Sequence, residues 1–443
     1  MSHPIGRFVG SSAAIRRPRS RVWCGHGFSR FIAELTYFPG IYHETLMLIM
    51  EACFSYDDNH QFRLDDSSIR YYYPPYLGAD LSKGFDTFKK LDDEADDHLD
   101  SLLKTLIDYE QKEGKKVEVD VVTWRGMMTK FMAAIFADRD GFEMNATLFQ
   151  IHRRESRVQV EVTCSTVGIK TSTGSAFAGY DELLGYFHCA QLSSNRYKFE
   201  TLCLLPATWQ ETSREYIENR ENEIVNNHAQ YCSIVRTGIG NTVMILGGEV
   251  DAVWDVKPTE DIPIKWVELK TSQDIQSDRD TVTFERKLMK FWIQSFLLGV
   301  PKIIVGFRTP DGILKRIEEL DTASIPSTVK RQGRGTWDGN MCINFAASLL
   351  DCMSFPFIDF HDMCLTAAVL KATITGDGVW RIRRRERTST IEVFKVEETG
   401  HGDILSDEFI NWRIKLSMKE TQASAEVDPP PVESISHSHE NIS

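Results

Sequence analysis

The fold is decided by residues 243–270, which read VMILGGEVDAVWDVKPTEDIPIKWVELK. Two apolar, β-branched runs, Val243–Trp254 and Ile264–Leu269, flank a charged, proline-containing turn, and this pattern predicts two strands. The chain then predicts an amphipathic helix over Phe284–Gly299 and a further strand over Lys302–Phe307. The order strand, strand, helix, strand predicts an α/β (α+β) fold, with a mixed β-sheet core flanked by helices.

Ionisable side chains interrupt both apolar runs. Side chains alternate along a strand, so Glu249 and Asp251 share one face of the first strand, as do Glu268 and Lys270 in the second. If the two strands pair with these faces aligned, three carboxylates and one ammonium group converge, and the carboxylates raise one another's pKa unless a cation neutralises them. Either motif alone also fits an exposed strand face. Together, acid-x-acid followed by Glu-x-Lys is typical of a D/E-x-K nuclease active site.

The chemistry of these side chains favours Mg²⁺ or Mn²⁺ as the cation. Carboxylate oxygens suit such hard metals, and the nine cysteines are scattered without the Cys-x-x-Cys spacing of a zinc site. A bound metal of this kind activates water and stabilises the charge that develops in phosphoryl transfer. We expect Lys270 to orient or deprotonate the water, or to hold the phosphate.

Length and composition limit the class of protein without excluding this chemistry. The chain has 443 residues, is 42% apolar and carries a formal net charge of −13. This is a globular composition, and the acidic balance argues against coating nucleic acid through bulk charge. Unpaired cysteine spacing favours a reducing compartment. No apolar run reaches the roughly 18 residues of a membrane span, so no membrane partner is expected.

Three regions are predicted along the chain. Residues 1–30 contain arginines but no acid, which predicts a disordered basic arm and also resembles a mitochondrial presequence. No linker divides residues 31–415, so one catalytic domain is expected there. Residues 416–443 are polar and contain three consecutive prolines, which predicts a disordered acidic tail.

Other local patterns predict further elements of the domain. Helices are expected over Leu91–Glu110 and Trp124–Asp138, and strands within residues 144–164 and at Tyr197–Glu200. A strand over residues 381–387 would place four arginines on one face: Arg381, Arg383, Arg385 and Arg387. Such a face either guides RNA phosphates or protects an exposed edge strand by charge.

Seven ordered segments resemble the decapping exoribonucleases (the DXO family), which include the fungal nuclear partner of the 5′–3′ exoribonuclease. The matching segments are Arg70–Pro75, Thr123–Gly126, Tyr197–Glu200, Cys232–Thr237, Gly248–Asp251, Glu268–Lys270 and Phe291–Ser295. One departure stands out, because the family motif before Glu200 begins with glycine where this chain has Arg196. An arginine there adds a phosphate contact or narrows the mouth of the site.

The resemblance implies a set of site residues. The implied metal ligands are Glu200, Glu249, Asp251, Glu268 and the backbone carbonyl of Leu269. The side chains implied at the scissile phosphate or attacking water are Lys270 and Gln294. The positions implied at the RNA 5′ end are Glu94, Trp124, Arg125, Gly126 and Cys232. Taken singly, several of these residues fit ordinary roles, since a cysteine is often a small buried residue and a helix start can be solvated.

The resemblance also implies an activity and partners. Family members remove incomplete or atypical caps from RNA, including the unmethylated guanosine cap and the NAD cap. Many release pyrophosphate from 5′-triphosphate RNA, and some then degrade the chain from its 5′ end. We expect a nuclear enzyme of RNA 5′-end quality control that uses Mg²⁺ or Mn²⁺. The alternatives are a non-catalytic stabilising partner of a 5′–3′ exoribonuclease and a DNA nuclease with the same core.

Overall fold

The computed structural model describes residues 48–91, 98–149, 161–165, 195–259, 262–354, 374 and 378–427. The predicted basic arm and Glu94 therefore lie outside the described residues. None of the helices in these ranges is both long enough and apolar enough to cross a lipid bilayer.

Nine strands of the described chain form the larger of two sheets. With strands numbered along the chain, they are Leu48–Tyr56 (β1), Phe62–Arg63 (β2), Val121–Trp124 (β4), Phe142–Phe149 (β5), Glu161–Ser165 (β6), Gln230–Ile239 (β8), Thr242–Glu249 (β9), Val379–Arg384 (β14) and Ile391–Glu397 (β15). Their order in space is β15-β14-β5-β6-β4-β9-β8-β1-β2. Strand β4 pairs in parallel with both β6 and β9, and the remaining pairs are antiparallel, so the sheet is mixed as predicted.

Six strands form the smaller sheet. They are Tyr71–Tyr72 (β3), Leu204–Leu205 (β7), Ala252–Val253 (β10), Trp266–Gln273 (β11), Lys302–Arg308 (β12) and Leu314–Asp321 (β13), in the order β13-β12-β11-β10-β3-β7. Strands β11 and β12 are parallel, and a helix connects them because parallel neighbours need a long crossover.

Helices cover both sheets. The described helices are Asp100–Glu113 (α1), Arg125–Ala133 (α2), residues 195–203 (α3), Arg214–Asn219 (α4), Asp278–Leu298 (α5), Ile325–Gln332 (α6), Gly339–Ser354 (α7) and Asp407–Val427 (α8). Residues from α2, α5, α6 and α7 share one buried cluster with strands of both sheets. Helices α1 and α8 share a second cluster with the larger sheet, and α3 shares a third with the smaller sheet.

The two predicted strands of residues 243–270 exist, but they do not pair with each other as expected. The first run breaks after Glu249, and its two parts belong to different sheets. Only the short second part, β10, pairs with β11, with Ala252 opposite Val267. Pairing between strands depends on the whole sheet, and local apolar patterns do not encode it.

Two predicted elements are wrong in type. Tyr197–Glu200 lies in helix α3 rather than in a strand, because a short apolar run does not by itself distinguish the two. The disordered tail predicted from residue 416 is wrong up to Val427, where α8 ends. Phe409, Arg413 and Leu416 are buried at helical spacing, so two apolar side chains and the ion pair of Arg413 with Glu110 hold the first turns of this helix.

Other boundaries shift, and the arginine face does not form. Helix α1 starts at Asp100 and α2 ends at Ala133, both inside the predicted limits. Strand β14 ends at Arg384, before the last two arginines of the predicted face. Arg381 pairs with Glu143 of β5 at 2.8 Å, and Arg383 with Glu392 of β15 at 2.7 Å, so these arginines link β14 to its two neighbouring strands.

Candidate active site

The chain crosses from the larger sheet to the smaller one at the acid-x-acid motif. Glu249 is the last residue of β9, and Asp251 immediately precedes β10. Because β10 pairs with β11, the Glu-x-Lys motif lies beside this crossing. The backbone N–H of Leu269 donates a hydrogen bond to Asp251 Oδ2 at 2.5 Å. The two motifs therefore meet at the junction of the sheets, through a strand pairing that differs from the expected one.

The ionisable side chains of β11, Glu268 and Lys270, lie on the face of the smaller sheet that is opposite to α3. Val267 and Leu269 belong to the apolar cluster that contains α3 residues, so alternation directs Glu268 and Lys270 to the other face. Both are buried, and Lys270 Nζ donates a hydrogen bond to Glu268 Oε1. The ammonium group lies 5.9 Å from the centre of the Phe291 ring on α5. This face of the strand is therefore covered by α5.

The predicted phosphate ligand Gln294 belongs to the covering helix. It follows Phe291 by three positions on α5, and residues three apart share a helix face. Gln294 is partly buried. The structure therefore places Gln294 on the same side of α5 as the ring that contacts Lys270.

Two glycines of β9 allow the start of α2 to reach the site. A Cβ on Gly248 would lie 3.0 Å from Arg125 Cβ and 2.8 Å from Leu298 Cδ1, and a Cβ on Gly247 would lie 2.7 Å from Trp124 Cζ3. With this close approach, Arg125 Nη1 lies 3.2 Å from Glu268 Oε2. Paired glycines inside a strand indicate close approach of another element, and this signal is present in the sequence at Gly247 and Gly248.

Helix α3 presents Glu200, and its inner residues fix its position. The buried Phe199 ring packs against β12 at Gly306, where any Cβ would overlap the ring. Lys198, also buried, donates from Nζ to the carbonyl oxygens of Glu221 and Glu223 at 2.7 and 3.1 Å. These contacts hold the helix so that Glu200 is directed to the junction with only 14% of its side chain exposed.

Arg196 forms a contact with Glu200 that the sequence pattern did not predict. It lies one turn before Glu200 on α3, and its Nε donates to Glu200 Oε1 at 2.9 Å. Nearby Glu200 raises the pKa of the Arg196 guanidinium above its ordinary value. The contact could not be predicted from a strand assignment, because residues four apart meet only on a helix.

Charge is unevenly balanced among the four carboxylates. Burial, followed by repulsion from Glu268 and Glu200, raises the pKa of Asp251 well above its usual value. Burial and Glu200 likewise raise the pKa of Glu249. Burial also acts to raise the pKa of Glu268, but Lys270 and Arg125 outweigh it and lower that pKa to about 2. Glu249 and Asp251 are thus the carboxylates left without a neutralising partner, since neither forms an ion pair within the described part of the chain.

The donor set suits a divalent metal, although the described carboxylates are not closed around one position. Excess negative charge at Glu249 and Asp251 is what a cation would relieve, and carboxylate and carbonyl oxygens are the ligands of Mg²⁺ and Mn²⁺. In the described ranges, no three His, Cys, Asp or Glu side chains are arranged to hold a single ion. Glu268 is bonded instead to Lys270 and Arg125, and Glu200 to Arg196.

The remaining predicted positions lie at different depths. Cys232 is buried on β8 directly opposite Glu249. Trp124 packs between two apolar clusters, with its ring 6.2 Å from that of Phe54. Gly126 has open space where a Cβ would point. Contact of these residues with RNA stays a prediction.

A family model for RAI1-like PD-(D/E)XK nucleases matches residues 50–410. The chain belongs to this family. A curated RAI1-like relative, the decapping nuclease RAI1 of Gibberella zeae, is 52% identical over 421 residues, covering 94% of this chain and 96% of the relative. The decapping nuclease RAI1 of Candida albicans is 37% identical over 390 residues, covering 82% and 94% of the two chains.

Solved structures of RAI1-like proteins share the fold. Candida albicans Rai1 in complex with pU5-Mn²⁺ is 29% identical, with a TM-score of 0.71, covering 82% of this chain and 95% of that one. Scheffersomyces stipitis Rai1 in complex with (3′-NADP)⁺ and calcium ion is 27% identical, with a TM-score of 0.68 and the same coverage. These relatives confirm the predicted family, the mixed α/β nuclease fold and the hydrolase class.

Proposed function

We propose that the protein is a divalent-metal-dependent hydrolase of RNA 5′ ends. It removes incomplete or atypical caps, such as the unmethylated guanosine and NAD caps, or releases pyrophosphate from 5′-triphosphate RNA. The observation that carries this proposal is the meeting of Glu249, Asp251, Glu268 and Lys270 at the sheet junction, in a chain whose RAI1-like relatives are named decapping nucleases.

Ligands of the related structures support the substrate class. The Candida albicans relative binds pU5 with Mn²⁺, the Scheffersomyces stipitis relative binds (3′-NADP)⁺ with calcium, and Schizosaccharomyces pombe Rai1, 27% identical, binds 3′-FADP. One ligand is an RNA chain and the others are dinucleotides, which correspond to an RNA body and to an atypical cap. We therefore extend both ligand classes to this chain.

The proposed metal ligands are Glu200, Glu249, Asp251, Glu268 and the carbonyl oxygen of Leu269. A metal bound there would supply an activated water and neutralise the charge that develops on the phosphate. The chain itself orients the ligands: the Leu269 N–H fixes Asp251 Oδ2, so the other carboxylate oxygen is left to face the junction.

Lys270 and Arg125 supply positive charge to the phosphate. Both are bonded to Glu268 in this structure. If Glu268 bound a metal instead, the N–H donors of Lys270 and Arg125 would become available to the phosphate. Lys270 is covered by α5 through Phe291, and exclusion of water strengthens such charge-assisted bonds. To Gln294, on the same helix face, we assign orientation of the attacking water.

Incubation with defined RNAs tests the proposal. RNAs of one sequence with triphosphate, unmethylated cap, methylated cap, NAD and monophosphate ends are incubated with Mg²⁺ or Mn²⁺, and the products are separated. We expect removal of at least one of the first, second or fourth ends, and no reaction in chelator. Equal inertness of all five substrates would contradict the proposal. Matched DNA distinguishes a DNA nuclease.

A cavity beside α5 offers a path for the RNA chain. It has a volume of about 440 Å³, and its lining includes Arg286, Lys287 and Lys290 of α5 together with Asp138 and Asp140. Lys290 pairs with Asp140 at 2.5 Å, whereas Lys287 lies four positions before Phe291, on the helix face that carries Gln294. Phosphates of a chain leaving the active site would meet Lys287 and Arg286, and would compete with Asp140 for Lys290. Substitution of Lys287 by Ala is expected to weaken binding of long RNA more than binding of a dinucleotide, with a smaller salt dependence.

We also propose that the protein acts in the nucleus with a 5′–3′ exoribonuclease. The resemblance to the family that includes such a partner supports this. Purification of the tagged protein from nuclei should recover an exoribonuclease, and the pair should degrade RNA faster than the exoribonuclease alone. If a variant with both Glu249 and Asp251 replaced by Ala stimulates equally well, the stabilising role is separate from catalysis. Absence of any recovered exoribonuclease would contradict this part of the proposal.

A further inference from the structure

Arg196 is the exposed cation of the candidate active site. Its side chain is 44% exposed, whereas the side chains of Lys270 and Arg125 are 8% and 14% exposed. Its guanidinium group lies 5.1 Å from the centre of the Tyr197 ring. Arg196 is therefore the cation of this site that solvent, and hence a ligand arriving from solvent, reaches most readily.

The bond between Arg196 and Glu200 occupies an oxygen that the proposed metal would use. Arg196 Nε lies 2.9 Å from Glu200 Oε1, and the attraction of Arg196 extends to Glu249 and Glu268 as well. In the absence of metal, Arg196 thus supplies part of the positive charge that the acids require. A metal at Glu200 would compete with Arg196 for the carboxylate.

Exchange of Arg196 for a metal at Glu200 would change the net charge of the site. When all groups are ionised, four carboxylates, namely Glu200, Glu249, Asp251 and Glu268, face three side-chain cations, namely Arg125, Arg196 and Lys270. The excess is one negative charge, and a divalent ion turns it into one positive charge. The loaded site then attracts phosphate beyond the group being hydrolysed, and Arg196 has been released from its acid partner.

We propose that Arg196 is a specificity residue that exchanges partners, leaving Glu200 when metal binds and then binding the additional phosphates of a 5′-triphosphate or a dinucleotide cap. The planar guanidinium group suits this role, because it donates paired hydrogen bonds to phosphate oxygens. A 5′-monophosphate end lacks the extra phosphates and gains nothing from Arg196. This inference rests on the proposed function.

The first experiment measures metal binding without RNA. Calorimetric titration of Mn²⁺ compares the wild type with Arg196→Ala and Arg196→Lys. Loss of a competing, partly exposed ion pair should tighten Mn²⁺ binding by about two- to fivefold in Arg196→Ala, with Arg196→Lys between the two. Unchanged or weaker Mn²⁺ binding in Arg196→Ala would overturn the exchange. Because no RNA is present, this result does not depend on which substrate the enzyme uses.

The second experiment measures discrimination between RNA ends. Fluorescence anisotropy in Ca²⁺ gives the dissociation constants of one short RNA with a triphosphate or a monophosphate end. The preference of the wild type for triphosphate should fall about tenfold or more in Arg196→Ala, since charge-assisted bonds to phosphate are lost. An unchanged preference would overturn the phosphate role. If the wild type binds neither end while the metal result holds, both the phosphate role and the proposed function fail.

A matched control variant exists elsewhere in the chain. Arg214 and Glu218 form the same pairing across one helical turn, at 2.6 Å, on the exposed helix α4. Arg214→Ala removes an ion pair of the same kind and should change neither Mn²⁺ binding nor the preference for RNA ends. A shift in Arg214→Ala as large as that in Arg196→Ala would show a general charge effect and would overturn the assignment.

Discussion

The buried carboxylates Glu110 and Glu268 both have cationic partners, yet their surroundings differ. Glu110 on α1 is fully buried, lies 3.1 Å from the equally buried Arg413 of α8, and accepts hydrogen bonds at 2.8 Å from the Val117 N–H and from Trp412 Nε1. Glu268 is also buried and bonded to two cations. It differs in being surrounded by three further acids.

The difference lies in the balance of charge. At the α1–α8 contact, one carboxylate meets one guanidinium group and neutral donors. Its charge is therefore balanced without an added cation, and the pair joins two helices. At the sheet junction the acids outnumber the cations, and the raised pKa values of Asp251 and Glu249 record the excess. A balanced buried pair indicates a structural contact, and a buried excess of acid indicates a site that takes up a cation.

The largest effect is expected from removing the unbalanced acids. Substituting both Glu249 and Asp251 by Ala should reduce hydrolysis by at least about a thousandfold, because a metal contributes several kcal/mol to the transition state. The protein should remain folded, since removal of repelling charges offsets the loss of the bond from the Leu269 N–H to Asp251. Rates and thermal unfolding of purified protein measure both quantities. Glu319→Ala, which breaks an exposed pair with Lys302, serves as the control, and full activity of the double variant would contradict the site.

The opposite result is expected at the balanced pair. Glu110→Gln leaves Arg413 buried without a compensating charge and should lower the free energy of unfolding by about 3–5 kcal/mol. Urea denaturation measures this loss. The folded fraction should keep its hydrolytic activity, because the pair joins α1 to α8 and neither helix carries an acid or cation of the junction. A variant that loses activity without losing stability would mean that the two regions are not distinct.

A smaller effect is expected from filling the space that Gly248 leaves for α2. Gly248→Ala forces a Cβ to 2.8 Å from Leu298 Cδ1 and 3.0 Å from Arg125 Cβ, which should lower stability by about 1–3 kcal/mol and move Arg125 away from Glu268. Gly238→Ala on β8 is the control, because its Cβ would meet an ordinary contact at 3.4 Å. Equal stability and activity of the two variants would show that the close approach is not required.

Sequence reasoning found the acids but not how they come together. Alternation in an apolar strand is a local property, so the shared face of Glu268 and Lys270 was predictable. The split of residues 243–254 between two sheets was not, because strand pairing is decided by distant segments. The pairing of Arg196 with Glu200 was not predictable for a related reason. The short run Tyr197–Glu200 fits a strand or a helix equally well, and the packing of Phe199 on β12 determines which of the two forms.

The smallest expected effect is that the stabilisation of the folded protein by Mn²⁺ depends on pH. The pKa values of Asp251 and Glu249 are raised in the folded protein, so the protonated forms favour folding at low pH and that contribution is lost as pH rises through the raised values. Metal binds the deprotonated carboxylates. The increase in melting temperature produced by Mn²⁺ should therefore be small at acidic pH and grow as the pH rises above the ordinary carboxylate range.

Two variants separate this dependence from a general effect of pH on the fold. Asp251→Asn removes the carboxylate with the strongly raised pKa, so the stabilisation by Mn²⁺ should shrink and lose most of its pH dependence. Glu110→Gln lowers the melting temperature but leaves the junction intact, so Mn²⁺ should raise it by the wild-type amount at each pH. If Mn²⁺ stabilises the wild type equally at all pH values, the excess charge at the junction is not what binds the metal.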